Sequence, residues 1–400
     1  MSSPDVDRLH AARARNGDLV VFGASGFAFA SWMSRIPDVR DLLSLTPGGL
    51  SLLLLAVSAG AVLGLPTAGR IAQRIGAAAT VRLGMALLLP GIGWAAIASQ
   101  AQLPVYLVAP GLFFLGLGSG IWDVAQNLEG TIIERAIDRA IMPWFHAGFS
   151  GGTVLAALLG AGMTALQVPL VAHIGGVILI SLLAGGWGTA QFLPAFDEES
   201  GDLPASHRGE RSAWTEPRTL LIGLIVLAAA FAEGTANDWL AVAFVDGHQL
   251  DKAMGVVALA VFLSFMTAGR ILGTVLLDRY GRVAVLRVLF GAAILGCLLV
   301  VFGDPVLAFV GAAVWGVGAS LGFPVGMSAA ADDPARAPMR ISVVATIGYT
   351  AFLAGPPLLG LLGDHFGILR ALLVVGVVSL AAMLVIPVAK APVPAASVEE

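Results

Sequence analysis

The chain of 400 residues is 58% hydrophobic and only 12% charged, and its mean hydropathy is +0.89. Soluble domains of this size do not carry so apolar a composition, so we infer an integral membrane protein. The formal net charge of −4 is uninformative by itself, and no basic patch with interleaved aromatic residues indicates nucleic-acid binding.

About twelve apolar segments follow one another along the chain, separated by clusters of charge, proline and glycine. Each is close to the length of about 20 residues that a spanning helix needs, and none shows the period-two alternation of a strand. The sequence therefore predicts an all-α polytopic membrane protein. Its helices are expected at 18–36, 49–70, 79–98, 104–128, 143–163, 169–192, 219–239, 253–276, 284–303, 305–329, 341–361 and 369–389.

The first predicted helix begins in a way that resembles a secretory signal, because Arg13 and Arg15 precede an apolar run that contains an Ala-Phe-Ala sequence. Asp18 fits such a signal poorly, and the apolar run continues to Ile36. We therefore expect this segment to be retained as a membrane helix.

The positive charges are distributed asymmetrically over the connections. All but four of the 22 Lys and Arg residues lie in the N-terminal segment, the even-numbered connections and the C-terminal segment; the exceptions are Arg35, Arg40, Lys252 and Arg370. Because cytoplasmic loops carry the excess of Lys and Arg, both termini are predicted to be cytoplasmic. The strong excess of Arg over Lys is typical of a GC-rich bacterial genome, so we expect the inner membrane of a bacterium.

The fourth helix carries the most informative motif, GLGSGIWDVAQN from Gly116 to Asn127. At helical spacing Gly116, Gly120, Asp123 and Asn127 share one face. Small residues on that face allow another helix to approach closely. The acid and the amide are expected to face an aqueous path or a bound solute, because polar groups inside a membrane seldom face lipid.

Three charged residues lie deepest in the predicted helices, namely Asp123, Glu233 and Arg270. A buried carboxylate that alternates between an apolar setting and an arginine can take up and release a proton, so Asp123 and Glu233 are proton-coupling candidates. His146, at the start of helix 5, is a third candidate. The alternative for each is a fixed ion pair or hydrogen bond that holds helices together.

Several further side chains are predicted to bind a solute. Hydroxyl groups in helices 5 and 11 offer hydrogen bonds, although such groups often bond only their own backbone carbonyls. Deep tryptophans present flat faces to sugar rings. The substrate-binding candidates are Trp122, Asn127, Ser150, Arg270, Trp315, Thr346 and Tyr349.

Two halves of the chain repeat one another. GRIAQRIG at Gly69–Gly76 matches TVLLDRYG at Thr274–Gly281 with an offset of 205, and later glycines repeat with an offset of 200. These later glycines are Gly116, Gly118, Gly148 and Gly160, answered by Gly316, Gly318, Gly348 and Gly360. The predicted organisation is a cytoplasmic tail at 1–17, a six-helix bundle at 18–192, a cytoplasmic linker at 193–218, a second bundle at 219–389 and a tail at 390–400. Parallel repeats of this kind are typical of transporters with a central site.

The segments GRIAQRIGA and LLDRYGR resemble the two copies of the loop motif GxxxDRxGR of the major facilitator superfamily, and the likeness covers essentially the whole chain. The resemblance implies two pseudo-symmetric six-helix bundles and a cytoplasmic gate. Its gate residues are Gly69, Arg70, Gln73, Arg74 and Gly76 in the first copy and Asp278, Arg279, Gly281 and Arg282 in the second. Because Gln73 replaces the usual aspartate, the implied ion-pair latch is weakened in the first half and kept by Asp278 in the second.

Four segments are similar to the sugar-permease branch that includes fucose–proton symport: DVAQN, FHAGFSGG, AEGTANDWLAV and TIGYTAFLAGPPLLGLLGDHFG. In that branch an acid with an amide four residues later stands at the place of Asp123 and Asn127. The acid of the first helix that resembles a proton carrier in that branch is lacking here.

We therefore expect a monomeric secondary transporter that moves a small, polar, hydroxylated solute by alternating access, coupled to protons. The solute is expected at the midplane among helices 1, 4, 5, 7, 8, 10 and 11. Two alternatives stay open: a proton-coupled exporter of drug-like or metabolic compounds, and a membrane receptor or scaffold without transport. The single cysteine, Cys297, leaves no cysteine-based metal cage, and no catalytic constellation or phosphate loop is present, so we expect no cofactor, no metal and no enzymatic activity.

Overall fold

The structure of the chain is a computed structural model that describes residues 4–137, 141–193, 212–333 and 336–390. Across those ranges the regular elements are helices, which confirms the predicted all-α class. They are α1 (Pro4–Met33), α2 (Ile36–Leu42), α3 (Pro47–Gln100), α4 (Val105–Ile137), α5 (Met142–Ala165), α6 (Leu170–Thr189), α7 (Pro217–Gly247), α8 (Lys252–Phe302), α9 (Pro305–Ala319), α10 (Gly322–Ala330), α11 (Ala337–Phe366), α12 (Ile368–Ala371) and α13 (Leu373–Val385), with single 3-10 turns at Ala213–Thr215 and Ile386–Ala389. Most of the predicted N-terminal tail belongs to α1, whereas the predicted linker from 194 to 211 and the tail from 391 lie outside the described residues.

Eleven helical stretches in the described ranges are long and apolar enough to cross a membrane. The stretch Pro47–Gln100 contains two crossings, because its backbone leaves the helical conformation at Gly76 (φ 78°, ψ 164°). Counting these two separately brings the number of crossings to the predicted twelve. Gly281 (φ 73°, ψ 165°) interrupts α8 in the same way. Glycine adopts positive φ without a steric penalty. The turn therefore explains why glycine stands at both positions, which the sequence repeat relates by an offset of 205 residues.

One predicted helix, 305–329, is broken in the structure. α9 ends at Ala319 and α10 begins at Gly322. Pro324 explains the break, because a proline inside a continuous helix clashes with the carbonyl four residues earlier and offers it no N–H. That carbonyl belongs to Ser320, and Pro324 is tolerated because it lies in the first turn of α10.

The glycines that repeat with an offset of 200 mark equivalent helix crossings in the two halves. Gly118 of α4 packs against the backbone of α3 at Gly84 and Leu88, and Gly318 of α9 packs against the backbone of α8 at Leu289 and Ala293. Small residues at such crossings allow backbones to approach closely. The repeat is therefore a repeat of packing as well as of sequence.

A second pair of repeated glycines has the same relation. Gly148 of α5 lies against Leu19 of α1, and Gly348 of α11 lies against Val226 of α7. Helix 5 thus packs on helix 1 in the first half as helix 11 packs on helix 7 in the second. This correspondence agrees with the predicted pseudo-symmetry of the fold.

By their contacts the residues divide into two compact units. Unit 1 consists of Met1–Leu203, Ala236–Leu263 and Pro356–Ala371, and unit 2 of Pro204–Thr235, Ser264–Gly355 and Leu372–Glu400. Each unit has its own buried core, which in unit 1 includes Phe22, Ile133 and Phe145 and in unit 2 includes Ile225 and Phe290. The bundle boundaries 18–192 and 219–389 follow the sequence repeat and stay a prediction.

Candidate functional site

Asp123 lies half-buried on α4 and is held by two amides of the same helix. Gln126 Nε2 donates to Asp123 Oδ1 at 3.2 Å, and Asn127 Nδ2 donates to Oδ1 at 3.3 Å and to the Asp123 carbonyl at 2.8 Å. These spacings of three and four residues place the three side chains together on one face of α4. No cation is bonded to the Asp123 carboxylate among the described residues.

The glycines of the same face serve helix packing. A Cβ at Gly116 would overlap the carbonyl of Val57 on α3, and one at Gly120 would lie 3.0 Å from the backbone nitrogen of Leu65. The expected close approach of another helix is therefore observed, and the first crossing of α3 is that helix.

Helix α5 carries His146 and Ser150. His146 is exposed, and its ring lies edge-on to that of Phe22 of α1, with 5.4 Å between the centroids. Ser150 is buried, and its carbonyl accepts a hydrogen bond of 2.8 Å from the Thr153 hydroxyl. The structure thus places only His146 of this pair where a proton can be exchanged with solvent.

In unit 2, Glu233 of α7 and Arg270 of α8 form an ion pair. Arg270 Nη2 donates to both Glu233 oxygens, at 2.9 and 3.0 Å, and Arg270 Nε donates to the Ser320 carbonyl at 3.2 Å. The side chains are 28% and 21% exposed. The acid that engages Arg270 is therefore Glu233, and the Ser320 carbonyl, left free by Pro324, is the second acceptor of Arg270.

The remaining solute-binding candidates lie in different surroundings. Thr346 of α11 is exposed and donates to the Ser342 carbonyl at 2.7 Å, so its hydroxyl bonds its own helix. Tyr349 lies between Phe323 and Phe352, with ring centroids 6.3 Å from each. Tyr349 is half-buried.

Both deep tryptophans are fully buried. Trp122 packs against Gly84 of α3 and Gly185 of α6, and Trp315 packs against Gly296 of α8. In this conformation neither indole has a surface that a solute can reach. Their roles as ligand platforms stay a prediction.

Most gate residues are exposed, including Arg70, Gln73 and Arg74 of the first copy. In the second copy Arg282 is half-buried and bonds Asp332 at 2.7 Å and the Ser328 hydroxyl at 2.9 Å. Asp278, to which the resemblance assigned the retained latch, is exposed. Arg279 lies over the ring of Tyr280, 5.3 Å from its centroid.

Two carboxylates gather the cations at the end of unit 2 where α7 begins. Asp332 accepts from Arg218 at 2.7 Å as well as from Arg282. Glu216 pairs with Arg336 at 2.6 Å and with Arg340 at 2.7 Å. These pairs tie the start of α7 to the segment between α10 and α11 and to the first turn of α11.

The Glu216 carboxyl has a shifted pKa. Burial alone raises it, but the hydrogen bonds from Thr219 and Arg340 and the positive charges of Arg340 and Arg336 outweigh burial, so the pKa lies below its usual value. Glu216 is therefore ionised over the whole physiological range.

A charge network in unit 1, absent from the sequence-based candidates, joins α2 to the end of α7 and the start of α8. Arg40 pairs with both Asp41 and Asp246. Lys252 pairs with Asp41 at 2.9 Å and with Asp38 at 3.4 Å. Arg35 pairs with Asp38 at 2.8 Å. Three of the four exceptions to the charge asymmetry, namely Arg35, Arg40 and Lys252, are thus engaged in ion pairs.

Three further acids also escaped sequence-based selection. Asp238 of α7 is half-buried, five residues after Glu233, and has no hydrogen-bond partner among the described residues. Asp18 of α1 and Glu129 of α4 are fully buried. The only sequence signal for them was a carboxylate inside an apolar run, which for Asp18 had served to argue against a secretory signal. The described ranges contain no group of three or more His, Cys, Asp or Glu side chains arranged to hold a metal ion.

Comparisons with known proteins agree with this architecture. The chain matches the Major Facilitator Superfamily profile over residues 19–332 and 249–400. It is 30% identical over 377 residues to the uncharacterized transporter y4wD of Sinorhizobium fredii, covering 92% of this chain and 96% of the relative. It is 28% identical over 355 residues to an uncharacterized MFS-type transporter of Yersinia pestis, covering 86% and 88%.

Two solved structures show the same fold. The nucleoside transporter NupG aligns with a TM-score of 0.76 at 13% identity, over 93% of this chain and 98% of that one. The fucose–proton symporter FucP of E. coli aligns with a TM-score of 0.61 at 17% identity, over 93% and 98%. At these identities the likeness establishes the fold alone. Together with the family match and the twelve crossings, it shows that the chain is a multi-pass membrane protein that belongs to the Major Facilitator Superfamily.

Proposed function

We propose that this transporter couples the movement of a small, polar, hydroxylated solute to protons, and that it works as a monomer by alternating access. The observation that carries the proposal is the Asp123 carboxylate, half-buried in an apolar helix and bonded to Gln126 and Asn127. Carboxylates at such depth are costly and mark solute or proton pathways in membrane proteins.

The kind of solute follows from the groups that are available to bind it. Around Asp123 these are amide donors and acceptors, with His146 and the half-buried Asp238 in the same unit. In unit 2 they are the Glu233–Arg270 pair and the phenol of Tyr349. Donors and acceptors of this number recognise a hydroxylated solute, because each buried polar group needs a partner. An apolar drug would leave them unpaired.

Proton coupling is supported by the absence of a bonded cation at Asp123 within the described ranges. Neutral amides stabilise a carboxylate less than an arginine does, so protonation is the simplest way to remove the charge when water is excluded. Glu233 differs, because Arg270 neutralises it directly. We therefore assign the proton to Asp123 and solute orientation to the ion pair.

The test compares wild type with Asp123→Asn in reconstituted vesicles, with Asp251→Asn, in an exposed connection, as the charge-matched control. A panel of sugars, sugar acids and nucleosides is first screened by thermal shift, since a ligand stabilises the native state. With the best ligand, wild type and Asp251→Asn are expected to take up protons with the solute. Asp123→Asn is expected to lose uphill accumulation and proton flux while it retains solute exchange, because exchange requires no net proton movement.

Solute uptake by wild type without proton movement at any pH would eliminate the coupling role. Loss of exchange as well as accumulation in a well-folded Asp123→Asn would show that Asp123 binds the solute itself.

We also propose that the protein lies in the bacterial inner membrane with both termini in the cytoplasm. Arg218, Arg336 and Arg340, at the starts of α7 and α11, belong to connections that the charge asymmetry assigns to the cytoplasm. A cysteine introduced at Ser206, in the predicted linker, should be protected from an impermeant thiol reagent in intact cells, and one at His248 should react. The opposite labelling pattern would reverse the orientation. The native Cys297 is buried and contributes no background.

A further inference from the structure

A fully buried carboxylate in α1 is left without a hydrogen bond. Asp18 is 0% exposed, and neither of its oxygens has a partner among the described residues. Burying a carboxylate in such a position costs roughly several kcal/mol of free energy unless it is paired or protonated. The proposed transport site does not include Asp18, so this side chain requires a separate explanation.

A second buried acid stands beside it. Glu129 of α4 is 1% exposed, and its Oε1 accepts a hydrogen bond of 2.8 Å from the backbone N–H of Leu193. Asp18 lies one turn from both Ala14 and Phe22 of α1, and these two residues share a buried cluster with Ile133 of α4, one turn after Glu129. Leu193 packs against the same cluster, so the two acids lie in one buried region, where their charges act on each other. If both were ionised they would repel each other across a medium of low dielectric constant, as two carboxylates that share one site do.

The helices that pack against α1 offer little to neutralise the pair. From α5, His146 lies edge-on to Phe22, and Phe22 follows Asp18 by one turn of α1. From α6, Thr189 carries no charge and accepts instead from Arg82 of α3 at 3.0 Å. On α1 itself, Arg15 bonds Asn16. Within the described ranges no cation is bonded to either carboxylate.

We propose that Asp18 and Glu129 form a proton-binding site in which the two carboxyl groups together carry one proton. The proton, supplied by water, forms the O–H bond of a neutral Asp18, while Glu129 stays ionised and keeps the hydrogen bond from Leu193. One negative charge then remains, satisfied by a backbone donor, and the uncompensated second charge disappears.

The site is distinct from Asp123, which lies six residues earlier on α4 and bonds different partners. It adjoins the segment that follows α6, because the N–H that bonds Glu129 belongs to Leu193, the first residue of the predicted linker. Because a backbone N–H bonds an ionised carboxylate more strongly than a neutral one, the protonation of the pair and the position of this segment depend on each other.

The test is infrared spectroscopy of the purified full-length protein during a pH titration, which reports the C=O stretch of protonated carboxyl groups. At about pH 7 the wild type is expected to show such a band, and Asp18→Asn to remove part of it. Asp251→Asn should leave the band unchanged, and Glu129→Gln should retain the Asp18 component. Over a jump from about pH 6 to about pH 10, Asp18→Asn should release one proton fewer than wild type, as counted with an indicator dye.

Identical bands and proton counts in wild type and Asp18→Asn would overturn the proposal, since Asp18 would then be ionised. A band lost in Glu129→Gln and kept in Asp18→Asn would overturn it equally. Should Asp18→Asn fail to fold, the same spectrum is recorded on a 13C-aspartate-labelled chain carrying Asp123→Asn and Asp238→Asn, where an isotope-shifted protonated band is expected and its absence refutes the site. None of these outcomes depends on whether transport is proton-coupled.

Discussion

Separating the two partners of the Glu233–Arg270 ion pair should destabilise the protein in a non-additive way. We consider Glu233→Leu, Arg270→Met and the double variant, which replace the pair by apolar side chains of similar volume. Each single change leaves one charge in a mostly buried position, whereas the double change removes both. The stability lost in the double variant should therefore be much smaller than the sum of the two single losses.

The size of the effect follows from the geometry. Breaking a fully buried pair costs about 3–5 kcal/mol, and the residual exposure of 28% and 21% reduces this to about 2 kcal/mol for each single variant. The double variant should lose about 2 kcal/mol in total, which gives a coupling energy of about 2 kcal/mol. Neutral interhelical hydrogen bonds in membranes average about 0.6 kcal/mol, so the ion pair should stand clearly above them.

The free energies are measured by titrating the detergent-solubilised protein with sodium dodecyl sulfate and following helix content by circular dichroism. A control cycle combines Glu233→Leu with Arg287→Met, an exposed cation in the later part of α8, and should be additive. Arg270→Lys should recover only part of the coupling, because one ammonium does not reproduce the fork that reaches both Glu233 and the Ser320 carbonyl. A coupling energy below about 0.5 kcal/mol would refute the reasoning.

Two further predictions concern packing and pH. Gly116→Ala should lower the unfolding free energy by about 1–3 kcal/mol, because the new methyl group overlaps the Val57 carbonyl. Gly151→Ala, with open space around it, should be neutral or stabilising in the same unfolding titration. Equal effects of the two substitutions would contradict the packing. Because the pKa of Glu216 is lowered by folding, its stabilisation is present above the unfolded pKa and is lost as the pH falls through the folded one. On acidification from about pH 6 to about pH 4, wild type should therefore lose more thermal stability than Glu216→Gln, and parallel losses would show that the carboxylate is not linked to folding.

The general architecture could be predicted from sequence because it depends on local signals. Apolar length and charge asymmetry define the crossings, and the turns at Gly76 and Gly281 require glycine whatever surrounds them. The acidic partner of Arg270 could be anticipated from cost alone. Its identity as Glu233 could not, since 37 residues separate the two and only the packing of α7 on α8 brings them together.

The parts that escaped prediction depend on which distant segments meet. Asp18 and Glu129 are ordinary interruptions of apolar runs until the packing of α1 on α4 buries both. Asp246 and Lys252 looked like loop charges, and their pairing with Arg40 and Asp41 required the loops to be in place. Trp122 and Trp315 show a different limit of the sequence, because depth in the membrane predicts burial but does not distinguish a solute-lined wall from a helix contact.

The break at Ser320 makes the backbone of one helix part of the charge chemistry of two others. Pro324 removes an N–H from the internal hydrogen-bond ladder of the tenth crossing, and the carbonyl so released accepts from Arg270, which in turn holds Glu233. A displacement of α10 that stretches the bond to Ser320 leaves Glu233 as the one acceptor of the guanidinium within the part of the chain that the structure describes. Pro324, which touches neither charge, thus acts as a mechanical link. Through it, a movement of α10 changes the strength of the Glu233–Arg270 ion pair.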